Sequence, residues 1–184
     1  MPPPASNPAN LAATAPAGTR LAGLAPVISP STRLLVLGSF PGAASLAAGQ
    51  YYAHPRNHFW PIFHAIFASS QRQMDLESYE NRIDWLLQHG VGLWDVYASC
   101  ERLGSLDSAI REAQVNDFAS LAARCPLLSV IAHNGGESFR HARHAAVLGV
   151  PVERLPSTSP ANASWSFERK LAAWRELLVR HGLV

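Results

Sequence analysis

The run TRLLVLGSFPG, residues 32–42, constrains the fold more than any other stretch of the chain. Leu34, Leu35, Val36 and Leu37 follow one another with no polar alternation, so a strand here has no solvent face and needs cover on both sides. Gly38 and the Pro41-Gly42 turn stop it. Shorter apolar runs recur in VGLWDVY, LLSVIAH and PVERL. Helical patterns separate them. FWPIFHAIFA admits Pro61 in its first turn, LESYENRIDWLLQHG closes at Gly90, and NDFASLAARC has Asn116 as an N-cap. NGGESFRHARHAAVLG leads from glycines into a further helix, and SFERKLAAWRELLVRHG places Phe167, Leu171, Trp174 and Leu178 on one face before Gly182. The segment ASCERLGSLDSAIREA reads as polar.

Buried strands alternating with amphipathic helices predict an α/β fold, a three-layer α/β/α sandwich around a mostly parallel sheet of about four strands. Ligands of such sheets bind outside the carboxyl ends of the strands. The polar stretches that leave those ends are residues 38–60, WDVY, HNGG and PSTSPANASW, and they are expected to converge on one edge.

Composition narrows the choice of partner. The chain of 184 residues, 48% of them hydrophobic, is long enough for one buried core and too short for two ordinary domains. Residues 1–27 are too poor in large apolar side chains to offset ordering entropy, which predicts a flexible Pro/Ala-rich arm before a globular domain at 28–184. A formal charge of only +2 gives no bulk positive field, so any polyanion site is local. Cys100 and Cys125 lack metal or disulfide spacing, and no run is apolar enough for a membrane span or a signal peptide. A soluble cytoplasmic protein is expected.

The individual segments leave several readings open. GSFPG lacks the glycines or lysine of a nucleotide loop, which disfavours dinucleotide and ATP chemistry. Tyr51 and Tyr52 either cap the core or, beside His54, Arg56 and Asn57, form a stacking platform next to phosphate ligands. His54 and His58 have Pro55 between them and no carboxylate nearby, so no metal is expected. Asp95, at an apolar strand end, is either tied to backbone amides or a reader of a base edge. Asn134 before two glycines suits a turn or an N-cap, and Ser157 lacks the elbow of a serine hydrolase.

Two segments, GSFPG…SLAAGQYYAHPRNHFW and LPSTSPANASWSFERKLAAW, resemble the first and second motifs of the uracil-DNA glycosylase superfamily. With GSLDSAI they are most similar to its hypoxanthine-DNA (DNA-deoxyinosine) glycosylase branch, and the resemblance runs from about Thr32 to the C-terminus. It implies a monomer without cofactor that hydrolyses the bond between a deaminated base and deoxyribose in DNA. Most superfamily members place a catalytic Asp or Asn directly before the proline of the first motif, where this chain has Phe40. In the hypoxanthine branch the role falls to the Asn of PRN, here Asn57. The resemblance further implies that Tyr52 stacks on the flipped base, that backbone N–H groups at Ser39 and Phe40 meet its carbonyl, and that Asp95 accepts a proton donor from its edge. Ser157, Ser159 and Asn162 are expected on phosphates, with His54, Arg56 and Asn134 also at the DNA and Ala161 as a small wedge. Uracil or xanthine as the target base, and lesion binding without catalysis, are the competing expectations.

Overall fold

Leu34 to Leu37 are fully buried, and their side chains divide by strand alternation between two separate cores. The computed structural model describes residues 19–68 and 78–184. Within them the chain runs β1 (Arg20–Ala22), β2 (Leu34–Gly38), α1 (Ala43–Ala48), α2 (Phe59–Ile66), α3 (Tyr79–Gln88), β3 (Val91–Asp95), β4 (Tyr97–Glu101), β5 (Arg111–Val115), β6 (Val130–Asn134), α4 (Gly136–Phe139), α5 (Ala142–Ala145), β7 (Val152–Leu155) and α6 (Phe167–Arg180). The first residues of the predicted LESYENRIDWLLQHG helix lie outside the described residues.

The main sheet has four strands in the order β3-β2-β6-β7, all parallel, as the unbroken apolar runs require. Leu34 and Val36 face one core with Phe59, Phe63, Trp85 and Trp174 from α2, α3 and α6. Leu35 and Leu37 face the other, with Phe40, Trp94, Phe118 and Leu121. The chain moves from β2 out to β3 on one side, then crosses to β6 on the other. The strand order therefore reverses beside β2, where a crevice opens at the carboxyl ends. Register brings Gly38 level with Asp95, and Asn134 level with Leu155, along that edge.

Two expectations require correction, and one sheet has no counterpart in them. The polar segment 98–113 carries most of β4 and the start of β5, which pair antiparallel in a second, three-stranded sheet of order β1-β4-β5. Its third strand comes from the supposed arm: Arg20 to Ala22 pair with Glu101 to Ser99, and Val27 bridges Leu93. Backbone pairing, which composition does not report, brings residues 20–27 into the folded unit; residues 1–18 lie outside the described residues. The predicted helices at NDFASLAARC and NGGESFRHARHAAVLG are a single 3-10 turn and two short helices, so the second face of the sheet is covered by short pieces. Asn116 does not cap the first; its Nδ2 donates to the Asp95 carbonyl at 2.9 Å.

Candidate active site

Asp95 ends β3 buried at 4% exposure, directly beside the end of β2. Gly38 makes room for it, since a Cβ on that residue would lie 2.3 Å from Asp95 Oδ1. Any side chain at position 38 would displace the carboxylate. Asp95 Oδ2 is buried without a hydrogen-bond partner among the described residues. Burial, reinforced by the charge of Asp107 and opposed by Arg102, pushes the Asp95 carboxyl up to about 7.

A cleft of about 800 Å3 opens above this carboxylate, walled by all four strand-end segments. Ser39 and Phe40 enter it from β2, Asn134 from β6, and the 156–162 loop from β7. No backbone or side-chain acceptor takes the N–H of Ser39 or Phe40 among the described residues. The Phe40 ring is buried, with the Arg102 guanidinium 5.0 Å from its centre, and Arg102 also donates to the Pro41 carbonyl.

Tyr51 and Tyr52 divide the two roles the sequence left open. Tyr51 is 3% exposed and belongs to the core, its hydroxyl donating to the Ala25 carbonyl at 3.1 Å. Tyr52 adopts a φ of 55°, a left-handed conformation that costs a non-glycine residue roughly 1 to 3 kcal/mol. The turn sends its ring to the cleft wall, stacked on Phe59 with centroids 4.0 Å apart and planes at 15°. Its hydroxyl is buried and makes no hydrogen bond of ordinary geometry. Burial first, then the charge of Asp95, raises its pKa, with the Asn134 side chain acting the other way.

Asn57 also lines the cleft. Its Oδ1 accepts the Phe59 N–H at 2.9 Å, satisfying one of the first N–H groups of α2 and fixing the amide plane. The second lone pair of Oδ1 and the Nδ2 group have no partner among the described residues. His54 shares the wall and accepts the Arg56 N–H at Nδ1, 3.1 Å away. Arg56 itself is exposed and lies outside the cleft lining.

The 156–162 loop is a chain of short side-chain-to-backbone bonds. Ser157 Oγ accepts the Ser159 N–H, and Ser159 Oγ accepts the Ala161 N–H, both at 3.2 Å. With an acceptor site of each oxygen occupied, each hydroxyl keeps its own O–H to donate. Asn162 holds the loop shut, its Nδ2 donating to the Ser157 carbonyl and its Oδ1 accepting from Ser164. Asn134 is a strut between the end of β6 and this loop. It is 9% exposed, its Oδ1 accepts the Thr158 N–H at 2.8 Å, and its Nδ2 donates to Thr158 Oγ1 at 2.9 Å. Its turn also needs Gly135, whose φ of 112° strains any other residue and where a Cβ would lie only 3.0 Å from the Ser157 side chain.

Four contributors were not anticipated. Thr158 is fully buried and joins three segments, since its carbonyl also accepts the His58 N–H. Lys170 is 1% exposed and donates through Nζ to the Ser159 carbonyl at 3.2 Å, a cation beneath the loop. Asp107 accepts the Ser39 hydroxyl at 2.6 Å, and Arg154 is exposed on the cleft wall. GSLDSAI was the one sequence signal for Asp107; an isolated arginine at a strand end gave none.

An α/β/α fold with a carboxylate-floored cleft at the strand ends and hydroxyl donors along its rim suits capture of one base from a polyanion. The sequence matches the uracil DNA glycosylase superfamily over residues 25–178, and the chain belongs to that superfamily. It is 33% identical over 158 residues to the hypoxanthine DNA glycosylase of Methanosarcina barkeri (strain Fusaro / DSM 804), covering 86% of this chain and 98% of that one. To the hypoxanthine DNA glycosylase of Methanosarcina acetivorans it is 35% identical over 160 residues, again 86% and 98% of the two chains. The fold is similar to the solution NMR structure of a candidate uracil DNA glycosylase from Methanosarcina acetivorans, with a TM-score of 0.76 and 30% identity over 89% of this chain and 99% of that one. Among the described residues no helix is long and apolar enough to cross a membrane.

Proposed function

We propose that the protein is a monofunctional DNA glycosylase of base excision repair that flips hypoxanthine out of deoxyinosine-containing DNA and hydrolyses its N-glycosidic bond. The observation that carries this reading is the meeting of three groups in one cleft: the Asp95 carboxyl with its unpartnered Oδ2, the Tyr52 ring carried on a strained backbone turn, and the anchored Asn57 amide. The flipped base stacks against Tyr52. Its O6 meets the N–H groups of Ser39 and Phe40, and its N1–H donates to Asp95. Adenine carries an acceptor at N1, which an ionised Asp95 repels.

Cleavage passes through an oxocarbenium-like sugar. Asn57 holds the attacking water through the free lone pair of Oδ1, and the cationic sugar supplies most of the activation, since an amide is no base near neutral pH. As the C1′–N9 bond breaks, its electron pair goes to the purine, whose negative charge the strand-end N–H groups stabilise. Water adds to C1′ and its proton passes to the departing purine anion, leaving an abasic sugar and neutral hypoxanthine. Ser157, Ser159, Asn162, His54, Arg56 and Arg154 hold the backbone around the extruded nucleotide.

The working unit is a monomer in a reducing cytoplasm, consistent with Cys100 and Cys125 both buried and free. The proposed step needs only water and these side chains; loss of activity in EDTA that a divalent ion restores would count against it. The test is alkaline cleavage of a panel of duplexes, each carrying one deoxyinosine, deoxyuridine or deoxyxanthosine. Strand breaks greatest at deoxyinosine are expected. Breaks chiefly at another lesion would reassign the substrate, and tight lesion binding with no abasic product would leave a non-catalytic binder, the reading that Phe40 in the first motif favours.

A further inference from the structure

Leu106 is 60% exposed, yet it belongs to the lining of the cleft. Single exposed leucines are ordinary on protein surfaces. What distinguishes this one is how it is held. The residue before it, Ser105, accepts the Ala43 N–H at 2.9 Å, and the residue after it, Asp107, accepts the Ser39 hydroxyl at 2.6 Å. The loop between β4 and β5 is thus bolted on both sides of Leu106 to the segment that leaves β2, with the leucine in solvent at the mouth. Leu103, on the same loop, is 54% exposed.

The rim is chemically two-sided. Arg154, His54 and the serine hydroxyls of the 156–162 loop are polar or cationic and suit phosphates. Residues 103–110 contain no lysine, arginine or histidine, Asp107 is acidic, and the Arg111 guanidinium that folds onto the loop is engaged with the Ser108 and Ile110 carbonyls at 2.8 Å, so what Leu106 presents at the mouth is an apolar contact suited to bases. On the opposite loop the exposed tip residue is Ala161, with only a methyl group. Trp165 is the other large rim side chain, but the Arg169 guanidinium covers its ring at 4.3 Å.

We propose that Leu106 is the wedge that enters the gap in the base stack when the flipped nucleotide occupies the cleft. This rests on the reading of the cleft as a pocket for a flipped base. A rigid apolar side chain at the mouth is what holding a duplex open requires, because it replaces the stacking lost by the neighbouring base pairs. Ala161 is too small for that task, and Leu106 reaches the same opening from the other side.

The experiment compares single-turnover cleavage of deoxyinosine in a duplex with cleavage of the same strand unpaired, for the parent, Leu106→Ala, Leu106→Met and Trp165→Ala. A 2-aminopurine beside the lesion reports stacking on binding, whether or not cleavage follows. Leu106→Ala is expected to lower the duplex-to-single-strand rate ratio about tenfold, the scale for withdrawing a leucine side chain from burial. It should also blunt the 2-aminopurine signal in duplex, while Leu106→Met keeps most of both. Equal losses on the two substrates, or a lowered ratio in Trp165→Ala with none in Leu106→Ala, would overturn the assignment. A parent protein that cuts neither substrate refutes the glycosylase reading instead, and the 2-aminopurine signal then still decides whether Leu106 enters the stack.

Discussion

Ser39 Oγ donates to Asp107 Oδ1 at 2.6 Å across 68 residues of sequence, tying the exit of β2 to the loop that closes the cleft mouth. The same Asp107 carries a negative charge toward buried Asp95 and helps raise its pKa. Asp107→Asn keeps an acceptor for Ser39 and removes that charge. The variant is expected to shift the acid limb of the single-turnover pH profile to lower pH, because Asp95 then ionises more readily. An unmoved acid limb would show that Asp107 does not act on Asp95.

Asp95 itself couples stability to pH. Its folded pKa of about 7 lies above the ordinary carboxyl value of 3.8, so the native state holds this proton more tightly than the unfolded chain. The associated stability is complete below about pH 4 and is lost as pH rises through about 7. Asp95→Asn removes this loss, and at about pH 8 the variant should be more stable than the parent by on the order of a few kcal/mol, with the gap closing near pH 4. Denaturant titrations at both pH values check it, and a gap independent of pH would contradict it.

On the proposed reading of the cleft, the same ionisation also bears on base choice. The carboxylate form of Asp95 can only accept, so it takes N1–H and repels the N1 of adenine, whereas the protonated form can also donate to that N1; preference for deoxyinosine over deoxyadenosine should therefore rise with pH through about 7 in the parent. In Asp95→Asn the preference should be low and flat. Rates on matched duplexes across that range test it.

Tyr52 separates stacking from hydrogen bonding. Tyr52→Ala should weaken capture of the flipped base by about 1 to 3 kcal/mol, the usual range for a base–aromatic stack, read as a rise in the enzyme concentration that saturates a single turnover. Tyr52→Phe keeps the ring on Phe59 and removes a buried hydroxyl with no partner, so it should retain capture and lose no stability. Wild-type saturation in Tyr52→Ala would remove this ring from base recognition.

Much of this arrangement was legible in the sequence, for reasons that also mark the limits. The four parallel strands announce themselves because burial on both faces leaves no polar alternation, and strand ends in a parallel sheet share one edge, so sequence alone points Gly38, Asp95, Asn134 and the 156–162 loop to one place. The β1-β4-β5 sheet was hidden because Arg111 to Gln114 are solvent-exposed and carry no hydrophobic period. Arg20 to Ala22 are likewise strand by hydrogen bonding alone. Asn134 and Thr158 look like turn residues in sequence; that they grip one another across 24 residues is a tertiary fact. The Tyr52 strain, the Asp107 bond to Ser39 and the Lys170 seat beneath Ser159 depend on neighbours distant in sequence and left no local signature.

Lys170 bears on the chemical outcome. It is the only lysine of the chain, and its Nζ is buried against the Ser159 carbonyl, which leaves it no access to an abasic aldehyde. Borohydride should therefore trap no covalent protein–DNA adduct, and strand breaks should appear only after alkali. An adduct that disappears in Lys170→Arg would reverse this.

Asn57 carries the central claim, because Phe40 stands where the superfamily's usual catalytic side chain would be and the water must be held from elsewhere. The most direct measurement is the single-turnover rate of hypoxanthine release from deoxyinosine DNA by Asn57→Ala and Asn57→Asp, with lesion binding measured in parallel. Asn57→Ala is expected to bind the lesion and to lose roughly 10²- to 10³-fold in rate, the scale for one preorganised polar contact to a transition state. Asn57→Asp keeps an oxygen for both the Phe59 N–H and the water, and should retain substantial activity. A rate for Asn57→Ala within a few-fold of the parent would contradict the assignment and leave Asp95 as the group that activates water.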